Sequence, residues 1–567
     1  MNPTLADWRA QVEKELAGAS PSATFEKLVA RTPEGLAIQP LYTERVDSGL
    51  PGVAPFARGA SIAAKPFEVC MRAGGPDAVT DDLAGGADAL WLASGDRAAL
   101  AAALGHKLAV VMDFTGTPLI EHFKAVMHAR SAWLGFDPID EVWRNDLSET
   151  ALQRRLAELG GFVEKVAHQR LRGTLGAQGH HVRAIRVSSL EFHAAGADAA
   201  DEIALVLSKA VAYLKACVRE GVALDEAARS LWVQVAVGRD TFGELCKLRA
   251  LRIVWWKMLA AAGVADARLD ALHAVCSSRT QSVRDPWVNM LRVTTEVFAA
   301  VLGGAQLVTP TSFDDAFGVT SPLGRRTARN TALVLREESQ LGKVLDAGGG
   351  SYYLEARTDA LAREVWSRFR AFEAAGGMVA NIGKLGQRLT QAWAARATAI
   401  AKRIELVLGV SEFANLDETL PAPLPIASPT SAPRHRDGEE FEALRAHIEN
   451  SRDVVLVTLG PSSEHRGRVG YAQALFATVG LRSHVSAEVA PPPASNAIAC
   501  ICGSDERYVV EAEAVAAKLK EAGYKHIAVA GRPGALERKL RTAGINTFVF
   551  MGCDVIANLN DLLSRDP

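Results

Sequence analysis

Hydrophobic runs and amphipathic stretches alternate along the first part of the chain, from about residue 86 to residue 312. The runs are short and rich in Val, Leu, Ile and Trp, and most are separated by longer alanine-rich stretches with helical spacing. Because parallel strands need such crossover connections, the alternation predicts a closed (β/α)8 barrel. Seven runs carry the strand pattern, and residues 343–345 are the candidate for the eighth strand. The seven runs are GADALWLA, KLAVVMDF, SAWLGFDPI, HVRAIRVSS, LWVQVAVG, LHAVCSSR and AQLVTPTS.

One helix–strand unit near residue 290 has the clearest local pattern. Asp285 followed by Pro286 predicts the N-cap and first position of a helix. Apolar residues at helical spacing from Trp287 to Leu302 predict one apolar face, and the two glycines that follow predict the end of the helix. A short β-prone run and a polar loop come next, as expected for one unit of an α/β domain.

The character of the sequence changes at residues 420–433, LPAPLPIASPTSAP, where five prolines fall within thirteen positions. Such a stretch predicts an extended linker and a domain boundary. Beyond it, residues 453–459, 497–502, 526–530 and 547–551 have the pattern of strands, with helical runs between them. This order predicts an open, doubly wound sheet of the flavodoxin-like (Rossmann-like) type.

The chain therefore divides into four predicted segments. These are a helical arm at 1–30, a barrel with C-terminal helices at 31–410, a Pro-rich linker at 411–450 and a flavodoxin-like domain at 451–567. Within the arm, residues 5–16 predict an amphipathic helix with Trp8 on its apolar side. Either this helix packs on its own domain, or it wraps a partner subunit that covers Trp8.

Composition and charge argue against several classes of partner. The chain has 567 residues, 49% of them hydrophobic, and a formal net charge of −2 without a sustained Lys/Arg run. We therefore expect neither nucleic-acid nor membrane binding. With no signal-peptide pattern and no apolar run of about 18 residues, a cytoplasmic protein is expected. The seven cysteines suit a reducing compartment, and Cys500-Ile-Cys502 lacks zinc-site spacing, so we expect no metal.

Several phrases of the sequence resemble one protein family. They are RTPEGLAIQPLYT from Arg31, the Asp285-Pro286 pair, GGAQ from Gly303, SFDDA from Ser312, RNT from Arg329 and EES from Glu337. Together they resemble the cobalamin-dependent acyl-CoA mutases, of which methylmalonyl-CoA mutase is the best known. The resemblance covers nearly the whole chain. It implies a barrel that threads coenzyme A along its axis and a C-terminal domain of the cobalamin-binding type.

The resemblance also implies cofactor positions, and here the sequence departs from the family. In the family, the His of an Asp-x-His-x-x-Gly loop after the first strand of the second domain is the lower ligand of cobalt. The corresponding loop reads GPSSEHRG, which puts Ser462 at the Asp position and Glu464 at the His position. His465 comes one residue late, which rotates its side chain by roughly 100°. We interpret His465 as a solvated loop histidine.

Two further cofactor-binding positions also lack the family's residues. Where the family has Ser-x-Leu after the next strand, this chain has Cys502 followed by Gly-Ser. Where the family has Gly-Gly after the third strand, this chain has Gly531 and then Arg532, whose long side chain would occupy space that the cofactor's tail needs. The GRPG run that begins at Gly531 has an alternative reading as a phosphate-binding turn, which four residues support only weakly.

The barrel site is altered as well. In the family's catalytic chains a Gly-Tyr-His triplet follows one strand, and its His hydrogen-bonds the substrate thioester carbonyl. This chain has Ser-Leu-Glu there, so Glu191 replaces a donor by an acceptor. The Tyr-rich segment that covers the corrin in catalytic chains is absent after Arg58. Arg186 and Glu191 near the mouth would suit acid–base work, although such residues at a strand end more often form a salt bridge.

These departures resemble the small, non-catalytic subunits of heterodimeric mutases. The resemblance implies that this chain has no catalytic residue, with Glu191 as a vestigial position, and that it binds no cobalamin. It implies adenosylcobalamin on a large partner subunit of a heterodimer that interconverts methylmalonyl-CoA and succinyl-CoA by radical rearrangement. A cobalamin-loading GTPase chaperone is a further candidate partner. The alternative is a self-sufficient acyl-CoA-binding protein, or a related acyl-CoA mutase, with a different ligand in the barrel.

Overall fold

A computed structural model describes most of the chain. The proline-rich residues 420–431 of the predicted linker lie outside the described residues. The described residues are 4–19, 23–63, 65–93, 97–104, 106, 108–114, 129–171, 181–318, 320–419, 432–448, 452–493 and 497–563.

The N-terminal helix α1 (Leu5–Ala19) is the helix that the sequence predicts. Trp8 packs edge-on against Phe25, with 5.9 Å between the ring centroids. No described residue of α1 is buried, so the helix keeps an open face. Two short antiparallel strands, β1 (Ala30–Arg31) and β2 (Ala37–Ile38), then lead towards the barrel.

Eight parallel strands close into the predicted barrel. The last strand pairs with both the first and the seventh, so the sheet has no free edge. Apolar side chains fill the barrel and the layer between its strands and helices. The strands are β3 (Glu68–Arg72), β4 (Ala89–Leu92), β5 (Ala109–Asp113), β6 (Ser131–Phe136), β7 (His181–Ser188), β8 (Leu231–Val237), β9 (Leu272–Cys276) and β10 (Leu307–Thr309).

The prediction that residues 343–345 form the eighth strand is wrong. That segment lies in turns, and Val344 is 70% exposed. The strand that completes the barrel is β3, which pairs with β4 and β10. Charged residues at both ends of β3 leave a run of only three apolar residues, so its local pattern is weak. Pairing on both sides buries those three residues and makes them a strand.

Helices connect the strands, and several begin at a capping side chain that the sequence supplies. The Asp198, Asp240 and Ser321 side chains each accept a hydrogen bond from a backbone N–H in the first turn of a helix. The helices are α2 (Pro76–Ala84), α3 (Arg97–Leu104), α4 (Pro138–Arg144), α5 (Glu149–Leu171), α6 (Leu190–Ala194), α7 (Ala199–Arg219), α8 (Leu224–Ser230), α9 (Thr241–Ala261), α10 (Val288–Leu302), α11 (Pro322–Glu337), α12 (Tyr352–Ala374) and α13 (Gly377–Ala401).

Helix α10 begins later than predicted and faces a different way. Asp285 does not cap it: its backbone is left-handed, with φ 45°, and its N–H donates to a Glu418 carboxylate at 2.6 Å. The apolar face predicted from Trp287 onward is partly exposed, because Leu291 is 67% exposed whereas Glu296 is fully buried. The glycine pair ends the helix as predicted, with Gly304 at φ 82°.

The second domain is an open parallel sheet with strand order β12-β11-β13-β14-β15, which is the flavodoxin-like order that the sequence predicts. Its helices cover both faces, and two apolar cores lie between helices and sheet. The elements are α14 (Glu439–Ile448), β11 (Asp453–Thr458), α15 (Ser462–Ala477), β12 (Arg482–Ser486), β13 (Ile498–Cys502), α16 (Asp505–Glu521), β14 (His526–Ala530), α17 (Glu537–Thr542), β15 (Thr547–Val549) and α18 (Val555–Leu563).

Strand β12 is missing from the sequence prediction. It pairs only with β11, at the edge of the sheet, and its residues Arg482 to Ser486 are mostly exposed and polar. An edge strand is held by backbone hydrogen bonds along one side, so it needs no apolar run. Hydrophobic patterning therefore cannot detect it.

No helix within the described ranges is long and apolar enough to cross a bilayer. Across those same ranges, no group of three or more His, Cys, Asp or Glu side chains is placed to hold a metal ion. The cysteines, including Cys500 and Cys502, are free thiols buried in the two domains.

Buried Glu296 on α10 makes stability depend on pH. Burial raises the pKa of Glu296 to about 8, although a hydrogen bond from Thr280 opposes the rise. The folded chain therefore keeps a proton that the unfolded chain has lost, and this contribution is complete below about pH 4.5 and is lost as the pH rises towards 8. We expect the wild type to lose about 4 kcal/mol relative to Glu296→Gln between pH 5 and pH 9.

Urea unfolding of both proteins across this pH range measures the difference. Glu338→Gln, which changes an exposed carboxylate just after α11, is the matched control and should follow the wild type. Parallel curves for the wild type and Glu296→Gln would contradict the raised pKa.

Candidate functional site

The mouth at the carboxyl ends of the barrel strands holds a cavity of about 1480 Å³. Loops at this end carry the chemistry of (β/α)8 barrels, and the volume is sufficient for a large ligand. The cavity wall is highly charged but balanced, with seven arginines and seven carboxylates among its described residues. The arginines are Arg72, Arg144, Arg186, Arg325, Arg326, Arg329 and Arg434, and the carboxylates are Asp77, Asp81, Asp82, Asp113, Asp140, Glu191 and Asp315.

Glu191 lies in the first turn of α6, directly after β7, and is 5% exposed. Its Oε1 atom accepts a hydrogen bond from Arg434 at 2.7 Å and lies 3.1 Å from an Arg144 nitrogen. Arg186 pairs instead with Asp113 on β5. Both residues that the sequence singled out near the mouth are therefore in salt bridges, with partners from other segments of the chain.

Arg434 reaches the cavity because residues 432–437 return from the linker to the barrel. The His435 N–H donates to the Ala194 carbonyl at 2.8 Å, and its ring stacks on Trp393 with 4.4 Å between the centroids. This segment therefore lies against the loop after β7 and brings a guanidinium group to Glu191. The contact joins residues that are 243 positions apart in the sequence.

Asp437 anchors the same segment between barrel loops. Its carboxylate is buried and lies 3.0 Å from nitrogens of both Arg239 and Arg396, with Arg279 at 3.8 Å. Burial alone would raise the pKa of Asp437, but these three guanidinium groups hold it well below its usual range. The carboxylate therefore remains charged and paired throughout the neutral range.

Ser277, His193 and Glu202 form a hydrogen-bonded series beside the cavity. The Nε2 atom of His193 lies 2.7 Å from the Ser277 hydroxyl, and its Nδ1 atom lies 3.2 Å from Glu202. The order resembles a nucleophile, base and acid, but Lys247 already neutralises Glu202 at 3.2 Å. Burial and the positive charge of Arg279 lower the pKa of His193 to about 4, which makes it a weak base near pH 7. We interpret the series as a support for the loops after β7 and β9.

A second polar cluster lies beside the cavity, around Lys209 on α7. The fully buried Nζ atom donates to Asp137 at 3.0 Å and to the Ser188 carbonyl at 2.9 Å, and it also contacts Asp140. Burial, followed by repulsion from Asp137, raises the pKa of Asp140 to about 7. One ammonium group therefore contacts two buried carboxylates, and Arg186, 3.7 Å from Asp137, is a second positive charge in the cluster.

At the carboxyl edge of the second sheet, the segment aligned with the family's cobalt-ligand loop forms the first turn of α15. Ser462, Glu464 and His465 all lie in this helix, so the interpretation of His465 as a loop residue is wrong. Pro461 lies directly before this first turn, and the acidic side chain of Glu464 lies within it. An acidic side chain favours a helix N-terminus, which explains why the segment is helical rather than a loop. The His465 ring is partly buried, and its Nδ1 atom lies 3.4 Å from the Leu459 carbonyl.

Glu464 is tied to the neighbouring helix by an ion pair. Its Oε2 atom lies 2.8 Å from the Arg507 Nε, and a second Arg507 nitrogen contacts Glu511 at 2.7 Å. These groups fill the space beside Gly460. A Cβ atom there would lie 2.7 Å from the Glu464 carboxylate and 2.8 Å from Arg507.

Tyr508 and Arg468 fill the adjoining space between the strand ends. The Tyr508 hydroxyl donates to the Ala530 carbonyl at 2.8 Å and accepts from the Gly503 N–H at 2.9 Å. The Arg468 guanidinium lies 4.9 Å from the centroid of the tyrosine ring. A Cβ atom on Gly531 would lie 2.8 Å from Arg468 and 2.9 Å from the ring. Side chains of this chain therefore occupy the space at the carboxyl ends of β13 and β14.

The remaining two predicted positions lie apart from this packing. Cys502 is fully buried at the end of β13, within the sheet. Arg532 is exposed, and its guanidinium lies 5.1 Å from the Phe550 ring centroid. The GRPG run leads through a short 3₁₀ turn into α17, a helix of six residues. So short a helix offers little dipole to a phosphate, which weakens the alternative of a phosphate-binding turn.

Arg434, Arg507 and Tyr508 are the site residues that sequence reasoning missed. Each acts through a contact with a distant segment, so none belongs to a motif with its partner. For Tyr508 there was one local signal: a tyrosine in the first turn of a helix, four residues after Ser504, which caps that helix. Such a side chain lies over the end of the preceding strand.

Comparison with known proteins gives consistent results. Residues 175–458 match the family model described as methylmalonyl-CoA mutase. The methylmalonyl-CoA mutase small subunit of Streptomyces virginiae is 36% identical, over 98% of this chain and 94% of its own length. That of Propionibacterium freudenreichii subsp. shermanii is 29% identical, over 99% and 94%. A probable methylmalonyl-CoA mutase small subunit of Mycobacterium tuberculosis is 37% identical, over 68% and 65%.

These comparisons place the chain, with its closed barrel and its doubly wound second domain, in the class of mutases. The chain belongs to the methylmalonyl-CoA mutase family. This family of mutases is cobalamin-dependent.

We expect Lys209→Ala to destabilise the barrel by about 3 to 5 kcal/mol, because it removes the ammonium group that contacts both buried carboxylates and leaves Asp137 with Arg186 at 3.7 Å. Lys215→Ala on the same helix is the matched control, because the Lys215 side chain is 65% exposed and its ion pair with Glu373 is long, at 3.8 Å. It should cost less than about 0.5 kcal/mol. Urea unfolding measures both, and equal midpoints for the two variants would refute the role assigned to Lys209.

Proposed function

We propose that this chain is the non-catalytic small subunit of a heterodimeric methylmalonyl-CoA mutase. In this proposal it stabilises a large subunit that holds adenosylcobalamin and interconverts methylmalonyl-CoA and succinyl-CoA. The observation that carries the proposal is the packing at the carboxyl edge of the second sheet, where Glu464, Arg507, Arg468 and Tyr508 fill the space in which the family resemblance leads us to expect a cofactor. Whole-length relatives that are named small subunits support it.

The described residues do not fit a cobalamin. The position aligned with the cobalt ligand holds Glu464, a carboxylate already paired with Arg507, rather than a neutral imidazole. His465 on the next position of the helix contacts the Leu459 carbonyl. A corrinoid tail would also have to displace Tyr508, which is 4% exposed and bonded to two backbone groups. The chain is therefore proposed to bind no cofactor or metal of its own.

The barrel lacks the family's donor to the thioester carbonyl. Glu191 stands at that position, and its carboxylate is held by Arg434 and Arg144. We therefore propose no catalytic residue in this chain and assign the chemistry to the partner. A cobalamin-loading GTPase chaperone would act on the large subunit of the assembled complex.

A second candidate function rests on the retained cavity. Its volume of about 1480 Å³ would admit a large ligand, so a self-sufficient acyl-CoA-binding protein or a related mutase is the alternative. The two differ in what the isolated chain does with coenzyme A, because the alternative requires binding without a partner.

The main proposal also includes the division of the chain into four segments and a cytoplasmic location. The segments are the arm at 1–30, the barrel at 31–410, the linker at 411–450 and the flavodoxin-like domain at 451–567.

The heterodimer is tested by native mass spectrometry of this chain expressed alone and with a large subunit. We expect a one-to-one complex, and an interface above about 2,000 Å², as in permanent complexes.

If α1 is an arm on that partner, Trp8→Ala should weaken association at least tenfold and lower activity only at dilute concentrations. A stable monomer whose omission leaves large-subunit activity unchanged would contradict the proposal.

Cobalamin binding is tested by titrating the purified chain and following absorption. We expect no spectral change, with the large subunit as the positive control.

In the assembled complex, Glu464→Ala and His465→Ala should each leave turnover within about twofold of the wild-type value, because neither side chain is assigned to the reacting groups. A spectrum typical of histidine-ligated cobalamin in the isolated chain, or a large loss of turnover in either variant, would mean that this chain takes part in the chemistry.

A further inference from the structure

Helix α10 turns its two ionisable side chains towards the inside of the protein. These side chains, Arg292 and Glu296, are 8% and 0% exposed. In contrast, Leu291 is 67% exposed, and Trp287 immediately before the helix is 55% exposed. A surface helix of a barrel normally packs an apolar stripe inward and exposes its charged residues. Helix α10 therefore presents a solvent face without a charged side chain.

Specific polar contacts fix this orientation. Arg292 donates to the Asn289 side chain and to the Leu408 carbonyl, both at 2.6 Å. Glu296 accepts a hydrogen bond from Thr280 at 2.6 Å. Rotating the helix to bury Leu291 would break all of these bonds. The exposed apolar face is thus a determined feature of the fold.

The turn beside the N-terminal end of α10 extends the same surface. Leu408, whose carbonyl receives Arg292, is 48% exposed, and Phe413 in the same turn is 78% exposed. Phe413 has φ 50°, a left-handed conformation that costs a non-glycine residue of order 1 kcal/mol. The chain therefore holds an aromatic side chain in solvent at an energetic cost.

Trp287 is prepared for contact as well. Its ring stacks on Phe313, with 4.8 Å between centroids and 25° between planes, so its position is set before any partner arrives. Exposed, preorganised aromatic rings are the side chains that dominate protein–protein binding energy. We call the surface formed by Trp287, Leu291, Thr295, Phe298, Leu408 and Phe413 the α10 face.

We propose that the α10 face is the docking surface for the large subunit. This inference rests on the heterodimer of the proposed function. An uncharged face offers nothing to a nucleic acid, and relatives that match nearly the whole chain are named small subunits, which points to a larger protein partner. A helix of fifteen residues is about 22 Å long, so the face supplies the apolar centre of a larger interface.

The docking assignment is tested by two variants, each of which replaces one exposed apolar residue by arginine. Leu291→Arg adds a charge at the centre of the α10 face, and Val510→Arg does so on α16 of the second domain, where Val510 is 77% exposed. Both variants should unfold at the wild-type temperature, because both side chains are in solvent in the isolated chain. Titration calorimetry with the large subunit should give at least tenfold weaker binding for Leu291→Arg and less than a twofold change for Val510→Arg.

Hydrogen exchange gives a second readout that needs no variant. Adding the large subunit should slow exchange of the backbone amides of residues 287–298. Wild-type affinity of Leu291→Arg without such protection would overturn the docking assignment while leaving the heterodimer intact. A wild-type chain that dimerises alone, and that Leu291→Arg makes monomeric, would assign the face to a second copy instead. If the wild-type chain does not bind the large subunit, the proposed function fails, and this inference fails with it.

Discussion

The buried carboxylate of Asp437 is the contact on which the arrangement of the two domains depends. It lies among Arg239, Arg396 and Arg279, which come from the loops after β8 and β9 and from α13. A buried charge without a partner costs several kcal/mol, so this residue can lie only where those three guanidinium groups meet. Helix α14 follows at once and places Phe441 in the core of the second domain. The Asp437 cluster therefore helps to fix the second sheet relative to the barrel, together with the hydrogen bonds from Ser282 and Val283 to Glu442 on α14.

Two carboxylates near the carboxyl ends of strands, one in each domain, are compensated in the same physical way. In the barrel, Glu191 is buried, and the returning segment supplies Arg434 to it. At the sheet edge, Glu464 is paired with Arg507 from the next helix. In each case a guanidinium group from a distant segment compensates the carboxylate. Pairing of this kind offsets the cost of taking each charge partly out of water.

Polar groups also decide which surfaces remain open. Arg292 and Glu296 face inward on α10 because their hydrogen-bonding partners lie in neighbouring loops, and Leu291 consequently faces outward. The hydrophobic effect is non-directional, whereas a buried polar group requires specific partners at specific distances. The polar contacts therefore set the rotation of the helix and create the apolar surface.

The sequence alone determined the architecture, because alternating runs of strand and helix allow few topologies. The barrel, the doubly wound sheet and seven of the eight barrel strands followed from patterning, and the family followed from the resemblance of its sequence motifs. Only the tertiary structure identified β3 and β12, since backbone pairing rather than an apolar run makes them strands. Only the tertiary structure shows that Arg434 contacts Glu191, that His465 lies in a helix and that Leu291 is exposed to solvent. Periodicity reports which residues prefer burial, but charge pairing between distant segments decides where each one lies.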